Sequence, residues 1–309
     1  MILTVTLNTA LDVTYRVPSL RAGASHRVSE VLERPGGKGV NVARVLAALG
    51  HEVTVTGFSG GLTGRVLRDR LTEVPRLTDA LVPVAGTTRR TVTLVDERTG
   101  ATTHVNEPGP DITHAEWSAF QEVYEDLLAS ASAVALCGSL PPGVPVGAYA
   151  GLVRRARAAR VPVLLDTSGA ALRRGVAGRP DIIKPNAEEL AELTGFHEPL
   201  RATQDARRRG ARAVVASLGA EGLLAVTPEG HWRATLPARL AGNPTGAGDS
   251  AVAGLLSALT NHRPWPDRLT HATALSAATV LSPVAGEFDT AVYEQFLTTV
   301  TVTGVATAA

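Results

Sequence analysis

The stretch VPVLLDTSGAALRRGVAGRPDIIKPN, from Val161 to Asn186, indicates the fold class of this chain. It contains two short apolar runs, Val161–Ser168 and Asp181–Asn186, with a helix-like segment between them. Near-continuous apolar runs of this length are typical of strands that are buried on both faces of a parallel sheet. The stretch therefore predicts a strand–helix–strand unit.

Similar units recur along the chain. Apolar residues repeat at helical spacing from Trp117 to Leu128 and from Val252 to Leu259. Strands that alternate with helices predict an α/β fold with a doubly wound, mostly parallel sheet flanked by helices. Ligands of such sheets bind at the carboxyl ends of the strands. The further predicted strands are Ile2–Asn8, Glu52–Phe58, Ala133–Ser139 and Ala213–Gly219.

Two segments, at about residues 11–35 and 86–107, break this pattern. In DVTYRV, HRVSEVLERPGG and TTRRTVTLVDERTGATTHVNEPG, polar and apolar residues alternate, which predicts antiparallel strands with one solvated face. We expect a small antiparallel β lid over the crevice, inserted into a single domain of residues 1–309. Exposed sheet edges often bind a partner, so the lid predicts a homodimer. The end of the chain, TVTVTGVATAA, is expected to be frayed.

The composition excludes several classes of function. Hydrophobic residues make up 44% of the 309 residues and the formal net charge is +1, which gives no support for binding to nucleic acid or to an anionic membrane. The single cysteine, Cys137, excludes an intramolecular disulfide and a cysteine-cluster metal site. The beginning of the chain lacks the basic region of a signal peptide, and no apolar run reaches the roughly 18–20 residues that span a bilayer. We expect a cytoplasmic protein.

The loop RPGGKGVN is the first of two candidate anion sites. Its glycines permit close backbone approach, Lys38 supplies a cation, and Asn41 can bind hydroxyls. The spacing fits neither the nucleotide P-loop nor the dinucleotide fingerprint. From spacing alone, ligand binding is favoured only slightly over a plain glycine turn with a solvated lysine.

The second candidate, NPTGAGDSAVAGLL, predicts an anion site at the beginning of a helix. The amides of residues 246–248 can point at an anion, and Asp249 in the first turn is placed to take a proton from a hydroxyl. The alternative is a structural helix start, with Thr245 as N-cap and Asp249 as a favourable first-turn acid. Gly246 and Gly248 are poor helix formers, which favours the anion site.

Five motifs, PGGKGVNVA, GSLPPG, IIKPNAEEL, SLGAEG and NPTGAGDS, occur in an order that resembles the PfkB-type sugar kinases of the ribokinase-like superfamily. The runs LNTALD, NEPGP and IKPN are most similar to the branch of 1-phosphofructokinase and tagatose-6-phosphate kinase. The resemblance extends from residue 3 to about residue 260. It implies a ribokinase-like fold and an ATP-dependent kinase that converts a ketohexose phosphate, fructose 1-phosphate or tagatose 6-phosphate, to the 1,6-bisphosphate.

The resemblance also implies roles for individual residues. Asp249 matches the base that deprotonates the sugar hydroxyl. The anion hole for the transferred phosphoryl group matches Gly246, Ala247 and Gly248. Asn186 and Glu189 match an N-x-x-E element that organises Mg²⁺ through its waters. The sugar-binding positions match Asp12, Gly37, Lys38 and Asn41. The ATP side matches Lys184, Asn186, Ser217, Gly219, Gly222 and Thr245.

A phosphorylated substrate requires cations beyond Lys38. Arg27 and Arg89, both on predicted lid strands, are the candidates, since arginine suits phosphate well. Ser139 of GSLPPG could add a hydroxyl. Thr88 and Arg89 match a motif of the branch, whereas the following Arg90–Thr91 departs from it. Asn243–Pro244 resembles the tagatose-6-phosphate kinases, and SPVAGEFD replaces the usual glycine-rich turn, so the adenine-contacting residues are not assigned.

Other functions stay open at this point. A kinase of an unphosphorylated sugar or of fructose 6-phosphate shares the same motifs, and the donated position is the 1- or the 6-hydroxyl. A non-catalytic sugar-phosphate sensor on the same fold would not need Asp249 between its glycines. A vitamin or nucleoside kinase would not need Arg27 together with Arg89. A dehydrogenase has little support, because no dinucleotide fingerprint follows a strand.

Overall fold

A computed structural model describes residues 1–282 and 286–306 of the chain. Part of the SPVAGEFD motif and the last residues of the predicted tail, 283–285 and 307–309, lie outside the described residues. The strands are β1 (Ile2–Thr6), β2 (Ala10–Val17), β3 (Glu30–Gly36), β4 (Val53–Ser59), β5 (Leu77–Asp79), β6 (Val82–Pro83), β7 (Arg89–Asp96), β8 (Thr102–Asn106), β9 (Ala133–Cys137), β10 (Val163–Asp166), β11 (Ile182–Ile183), β12 (Ala213–Ser217), β13 (Leu223–Val226), β14 (His231–Thr235) and β15 (Thr301–Gly304). The helices are α1 (Lys38–Ala48), α2 (Gly61–Thr72), α3 (His114–Leu128), α4 (Ala148–Ala158), α5 (Gly169–Gly175), α6 (Ala187–Thr194), α7 (Pro199–Arg208), α8 (Ala247–Thr260), α9 (Trp265–Leu281) and α10 (Thr290–Thr299).

The central sheet has the strand order β15-β14-β13-β12-β11-β10-β9-β1-β4-β5, with β6 paired to β4. All pairs from β12 across to β5 are parallel, and β13, β14 and β15 extend the sheet in antiparallel pairs. The six strands that the apolar runs predict all lie in the parallel part. The predicted α/β fold with a mostly parallel sheet is therefore confirmed, and the carboxyl ends of these strands share one edge.

The central sheet separates two apolar cores. Ile2 of β1 packs in one core with Val40 of α1 and Leu255 of α8, whereas Leu3 packs in the other with Phe120 of α3 and Leu152 of α4. Successive residues of a strand point to opposite faces, so a continuous apolar run contributes to both cores. Full burial of a leucine side chain contributes about 1.5–3 kcal/mol. This double burial is why helices cover both faces of the sheet.

The lid is a second sheet with the order β3-β2-β7-β8. The pairs β2–β3 and β7–β8 are antiparallel, as the sequence predicts. The central pair, β2–β7, is parallel, with Asp12 opposite Thr91. Alternation of polar and apolar residues indicates the face of each side chain but not the neighbour of each strand, so this pair was not predictable. The prediction that Arg27 lies on a lid strand is wrong, because Arg27 is in the exposed loop between β2 and β3.

The described part of the C-terminal segment is not frayed. Thr301–Gly304 form β15 and pair with β14 through Trp232, Arg233, Ala234 and Thr235, so the prediction of a frayed end is wrong for these residues. A strand edge left open by β14 provides backbone hydrogen bonds for this segment. Within the two described ranges, no helix combines the length and the apolar character that crossing a bilayer requires.

Candidate active site

The two glycine-rich loops meet at the carboxyl edge of the central sheet. Nδ2 of Asn41, in the first turn of α1, donates a hydrogen bond of 2.9 Å to Oδ2 of Asp249, in the first turn of α8. Asn41 and Asp249 are 208 residues apart in the chain. The contact therefore joins the loop that resembles a sugar cradle to the residue that resembles a catalytic base.

The carboxyl of Asp249 is buried and has an unusual affinity for protons. Burial, and to a smaller extent the negative charge of Asp166, raise the pKa of Asp249 to about 6 in total. The charge of Lys38 and the hydrogen bond from Asn41 act in the opposite direction. A carboxyl with this pKa is ionised at neutral pH but accepts a proton more readily than an exposed aspartate, which suits a general base.

Asp166, at the end of β10, connects two lysines of the site. Its Oδ2 is 3.3 Å from Nζ of Lys38, and its Oδ1 is 3.4 Å from Nζ of Lys184. Burial raises the pKa of Asp166, but the charges of Lys184 and Lys38 outweigh this effect and the net pKa is below its ordinary value. Asp166 in turn raises the pKa of Lys38. Sequence reasoning missed Asp166, although an aspartate at the carboxyl end of a buried parallel strand is the signal that could have identified it.

The first glycine loop allows the backbone to lie directly against the neighbouring strands. Gly37 has φ of 100°, and a Cβ there would lie 2.7 Å from Cγ2 of Thr6. A Cβ at Gly36 would lie 2.1 Å from Cγ of Asp12. Each contact is too short for a real side chain, so the glycines permit both the left-handed turn and the position of the Asp12 carboxyl.

Asp12 and Arg89 lie on the same face of the lid sheet. The β2–β7 register pairs Ala10 with Arg89 and Asp12 with Thr91, which places both side chains on one face. Burial raises the pKa of Asp12 to about 6, although the charge of Arg89 and a hydrogen bond with Thr91 lower it. Burial also lowers the pKa of Arg89, while the charge of Asp12 raises it. A carboxylate for hydroxyls and a guanidinium for an anion therefore lie side by side.

The guanidinium of Arg89 is held mainly by neutral oxygens. Its Nε donates to the carbonyl oxygen of Asn8 at 3.2 Å, and its Nη1 donates to Oγ1 of Thr91 at 3.3 Å and to the carbonyl oxygen of Glu107 at 3.4 Å. No carboxylate forms an ion pair with Arg89 among the residues that the structure describes. By contrast, the neighbouring Arg90 is exposed and pairs with the Glu107 carboxylate at 3.1 Å. Arg89 thus keeps a positive charge that is only partly compensated.

Two other candidate substrate ligands lie in different surroundings. Ser139 is exposed at the end of β9, and its Oγ accepts a hydrogen bond of 3.1 Å from Nδ2 of Asn8. Nδ2 of Asn8 also donates to the carbonyl oxygen of Pro108 at 3.1 Å, so Asn8 connects the GSLPPG and NEPGP loops. Sequence reasoning missed this role of Asn8. Arg27 is exposed in its loop and has no described contact with the crevice.

Most of the predicted ATP residues line a cleft of about 700 Å³ between β12, β13, α8 and α9. The cleft brings together four of the six predicted ATP residues with two of the three anion-hole residues, whereas Lys184, Thr245 and Gly246 are not part of its lining. Lys184 nevertheless lies close to the lining residue Gly248: a Cβ built on Gly248 would be 3.6 Å from Nζ of Lys184. The predicted residues in the lining are Asn186, Ser217, Gly219, Gly222, Ala247 and Gly248.

The apolar wall of this cleft was not predicted from the sequence. Its residues come from the loop after β14 and from α9. They have no distinctive residue type or spacing, so no sequence signal identified them. They are Leu236, Ala238, Leu240, Thr273, Ser276, Ala277 and Val280.

The beginning of α8 differs in two respects from the sequence-based expectations. Gly246, with φ of 83°, is the N-cap, so the alternative in which Thr245 caps the helix is wrong. The amide of Ala247 donates to the carbonyl oxygen of Pro244 at 3.1 Å and is not free for an anion. The amides of Gly246 and Gly248 form no hydrogen bond within the described parts of the chain, which leaves them available.

Asn186 and Glu189 form a reciprocal cap at the beginning of α6. Oδ1 of Asn186 accepts from the amide of Glu189 at 2.8 Å, and Oε2 of Glu189 accepts from the amide of Asn186 at 2.9 Å. No group of three or more potential metal ligands occurs among residues 1–282 and 286–306. Oε1 of Glu189 forms no hydrogen bond with another described residue, so the arrangement fits a Mg²⁺ ion that is held through waters rather than by several protein ligands.

An ion-pair cluster attaches the lid to the main body of the protein. Oε1 of Glu287 is 2.6 Å from Nη1 of Arg34 on β3 and 2.9 Å from Nη2 of Arg44 on α1. Gly286, next to Glu287, donates its amide to the carbonyl oxygen of Thr245 at 3.3 Å. The cluster therefore connects the lid strand before the first glycine loop to the segment before α8. Sequence reasoning missed all three charged residues.

The comparisons with known proteins agree with this geometry. The family model described as "pfkB family carbohydrate kinase" matches residues 3–290. A protein of Thermotoga maritima described as a possible 1-phosphofructokinase has a similar structure, with 28% identity, a TM-score of 0.90, and coverage of 99% of this chain and 100% of that chain.

Phosphofructokinase-2 of Escherichia coli is also similar. In its complex with potassium it has 27% identity and a TM-score of 0.89, with 96% of this chain and 98% of that chain covered. In its complex with fructose 6-phosphate the identity is 26% and the TM-score is 0.86, with the same coverage of 96% and 98%.

Proposed function

The chain belongs to the PfkB family of carbohydrate kinases, and from this premise we propose that it transfers the γ-phosphoryl group of ATP to a hydroxyl of a ketohexose phosphate. Fructose 1-phosphate and tagatose 6-phosphate are the preferred candidates, and the product is the 1,6-bisphosphate. The similarity to phosphofructokinases supports a sugar-phosphate acceptor. A complex of the E. coli relative with fructose 6-phosphate supports the same class of substrate and keeps that sugar among the candidates.

In the proposed reaction, Asp249 takes the proton of the acceptor hydroxyl. The hydroxyl oxygen then forms a bond to the γ-phosphorus of ATP, and the bond from that phosphorus to the bridging oxygen breaks, so that ADP leaves. The free amides of Gly246 and Gly248 stabilise the charge on the transferred group. Asn41 supports this role, because its hydrogen bond to Oδ2 orients the Asp249 carboxylate and leaves Oδ1 for the proton.

The single observation that favours a phosphorylated acceptor is the charge of Arg89. A partly buried guanidinium without a carboxylate partner is costly unless an anion binds to it. It lies on the same lid face as Asp12, whose carboxylate can accept hydrogen bonds from sugar hydroxyls. With a neutral sugar the Arg89 charge would be compensated only in part, by Asp12 and Glu107, whereas a phosphate would pair with it.

We propose that ATP binds in the cleft of about 700 Å³ lined by Ser217 and Gly219, with its phosphates toward α8. Asn186 and Glu189 would hold Mg²⁺ through water, and the ion would neutralise phosphate charge. The proposed partner is a second copy of the chain that binds through the lid. Arg27 stays a predicted phosphate ligand. For this contact to form, the loop that carries Arg27 would have to approach the crevice.

A coupled assay of ADP release tests the substrate. The acceptors are fructose 1-phosphate, tagatose 6-phosphate, fructose 6-phosphate, and free fructose and tagatose. We expect the wild-type enzyme to prefer one of the first two. In Arg89→Ala, KM for the phosphosugar should rise about 10- to 150-fold, because a charge-assisted contact of roughly 1.5–3 kcal/mol is lost. KM for ATP should change little.

The neighbouring Arg90→Ala is the matched control. Arg90 is exposed and already paired with Glu107, so its removal should leave KM for the phosphosugar nearly unchanged. If the enzyme prefers a free sugar and Arg89→Ala does not alter its kinetics, the phosphosugar assignment is wrong. If no acceptor gives ADP release while ATP and a phosphosugar both bind, the sensor alternative replaces the kinase.

A further inference from the structure

A second cavity lies at the end of the central sheet opposite the candidate active site. It has a volume of about 510 Å³ and lies between the end of α7 and the β13–β14 hairpin. Arg212, immediately before β12, belongs to its lining, whereas Ser217 at the other end of β12 belongs to the ATP cleft. We call this cavity the arginine groove and define it by Arg207, Arg208, Arg212 and His231.

The charges of the arginine groove are incompletely compensated. Nε of Arg207 donates to the carbonyl oxygen of Arg212 at 3.0 Å, and Arg207 forms no ion pair with a carboxylate in the described chain. Arg212 is 3.9 Å from Asp181, which is at the outer limit of an ion pair. Arg208 shares the carboxylate of Asp205 with Arg209, at 3.1 and 2.6 Å, so one negative charge serves two guanidiniums.

The uncharged lining also suits an anion. Nδ1 of His231 is buried and has no hydrogen-bond partner among the described residues. Gln204 adds an amide that can donate, and no carboxylate belongs to the lining.

Arg268 is a further guanidinium near Arg212. Burial lowers the pKa of Arg268, the charge of Glu229 raises it, and the charge of Arg212 has a smaller lowering effect. The net charge of the chain is only +1, so this concentration of arginines is local and does not reflect the protein as a whole.

We propose that the arginine groove binds a small phosphorylated anion at a site separate from the active site. Guanidinium groups match the geometry of phosphate oxygens and can bind them with two parallel hydrogen bonds. The volume corresponds to a small molecule. Free inorganic phosphate and a phosphorylated sugar both present phosphate oxygens to guanidinium groups. A binding experiment distinguishes these two ligands.

Isothermal titration calorimetry tests the proposal with two probes, fructose 1,6-bisphosphate and inorganic phosphate. The proteins are wild type, the double variant Arg207→Gln/Arg212→Gln, and the control Arg154→Gln/Arg174→Gln, whose arginines are exposed on other helices. All three have the same active site, so binding there is common to all. We expect a binding event in wild type and control that is at least ~10-fold weaker in the groove variant. The groove variant should keep its kcat and KM, because the groove is remote from the reacting groups.

Identical titrations of wild type and groove variant would overturn the proposal, and so would an equal loss in the control, which would indicate general surface charge. Binding of the bisphosphate but not of inorganic phosphate supports a phosphorylated sugar as ligand, and equal binding of both supports free phosphate. If the double variant does not fold, Arg212→Gln replaces it, because that side chain is 69% exposed.

Discussion

Asp249 is the residue whose environment most directly predicts a measurable rate. At saturating substrates, kcat should fall about tenfold per pH unit below about 6, because a protonated carboxyl cannot accept the hydroxyl proton. The sign follows from the raised pKa: the active, ionised form predominates above pH 6 and is lost below it. Asp249→Asn should lower kcat by at least ~10²-fold across the range and abolish this acid limb.

The control for this prediction is Asp267→Asn. Asp267 lies in the first turn of α9, as Asp249 does in the first turn of α8, so both substitutions remove an acid from the beginning of a helix. Isothermal titrations should give nearly unchanged affinities for ATP and sugar in Asp249→Asn, because Asn41 can still donate to the new amide oxygen. Activity of Asp249→Asn within a few-fold of wild type would exclude Asp249 as the base.

At the scale of elements, the attachment of β3 determines where the first glycine loop lies. Glu287→Gln removes the charge that Arg34 and Arg44 share and leaves two guanidiniums near each other. We expect KM for the phosphosugar to rise about fivefold, since exchange of a charge-assisted for a neutral hydrogen bond costs roughly 1 kcal/mol. The kcat value should change less than twofold, because Asp249 and Asn41 are unaffected.

Glu33→Gln is the matched variant on the same strand, because Glu33 is exposed and forms no ion pair among the described residues. Two measurements on both variants, steady-state kinetics and hydrogen exchange of the β3 amides, test the cause of a change in KM. They distinguish loss of the lid attachment from a general effect of charge. We expect faster hydrogen exchange of the β3 amides and a higher KM for the phosphosugar in Glu287→Gln only. Equal kinetics in Glu287→Gln, Glu33→Gln and wild type would contradict the prediction.

At the scale of the whole molecule, the lid is the surface that we propose for association with a second copy of the chain. Val28, Val31 and Val105 are exposed at 42%, 53% and 53%, and they lie on or beside the edge strands β3 and β8. Open edges with apolar side chains favour association. E. coli phosphofructokinase-2 has a tetrameric form, so assembly occurs in a similar protein.

The prediction is that wild type has the mass of a dimer at micromolar concentration, measured by light scattering after size exclusion. Val31→Lys/Val105→Lys should shift the mass to a monomer, because lysines on an edge oppose pairing. Val146→Lys, at a residue that is 47% exposed outside the lid, should remain dimeric. A fully active wild-type monomer at that concentration would contradict a role for the lid in assembly.

Local sequence patterns were sufficient to predict those features that depend on residues near each other in the chain. Apolar runs predicted the six parallel strands, because burial on both faces leaves a continuous run of apolar residues. The glycines near Lys38 and Asp249 indicated sites of close backbone approach, because only glycine has the required conformational freedom at Gly37 and Gly246.

Which distant residues act together depends on the packing of the folded chain. Asp166 connects Lys38 with Lys184, Glu287 holds Arg34 at a separation of 253 residues, and β2 pairs in parallel with β7. No periodicity or motif specifies such contacts, because a side chain's local sequence determines its face and not its partner. The partners are set by how strands and helices pack, and that packing places the charges whose burial alters the pKa of Asp12 and Asp249.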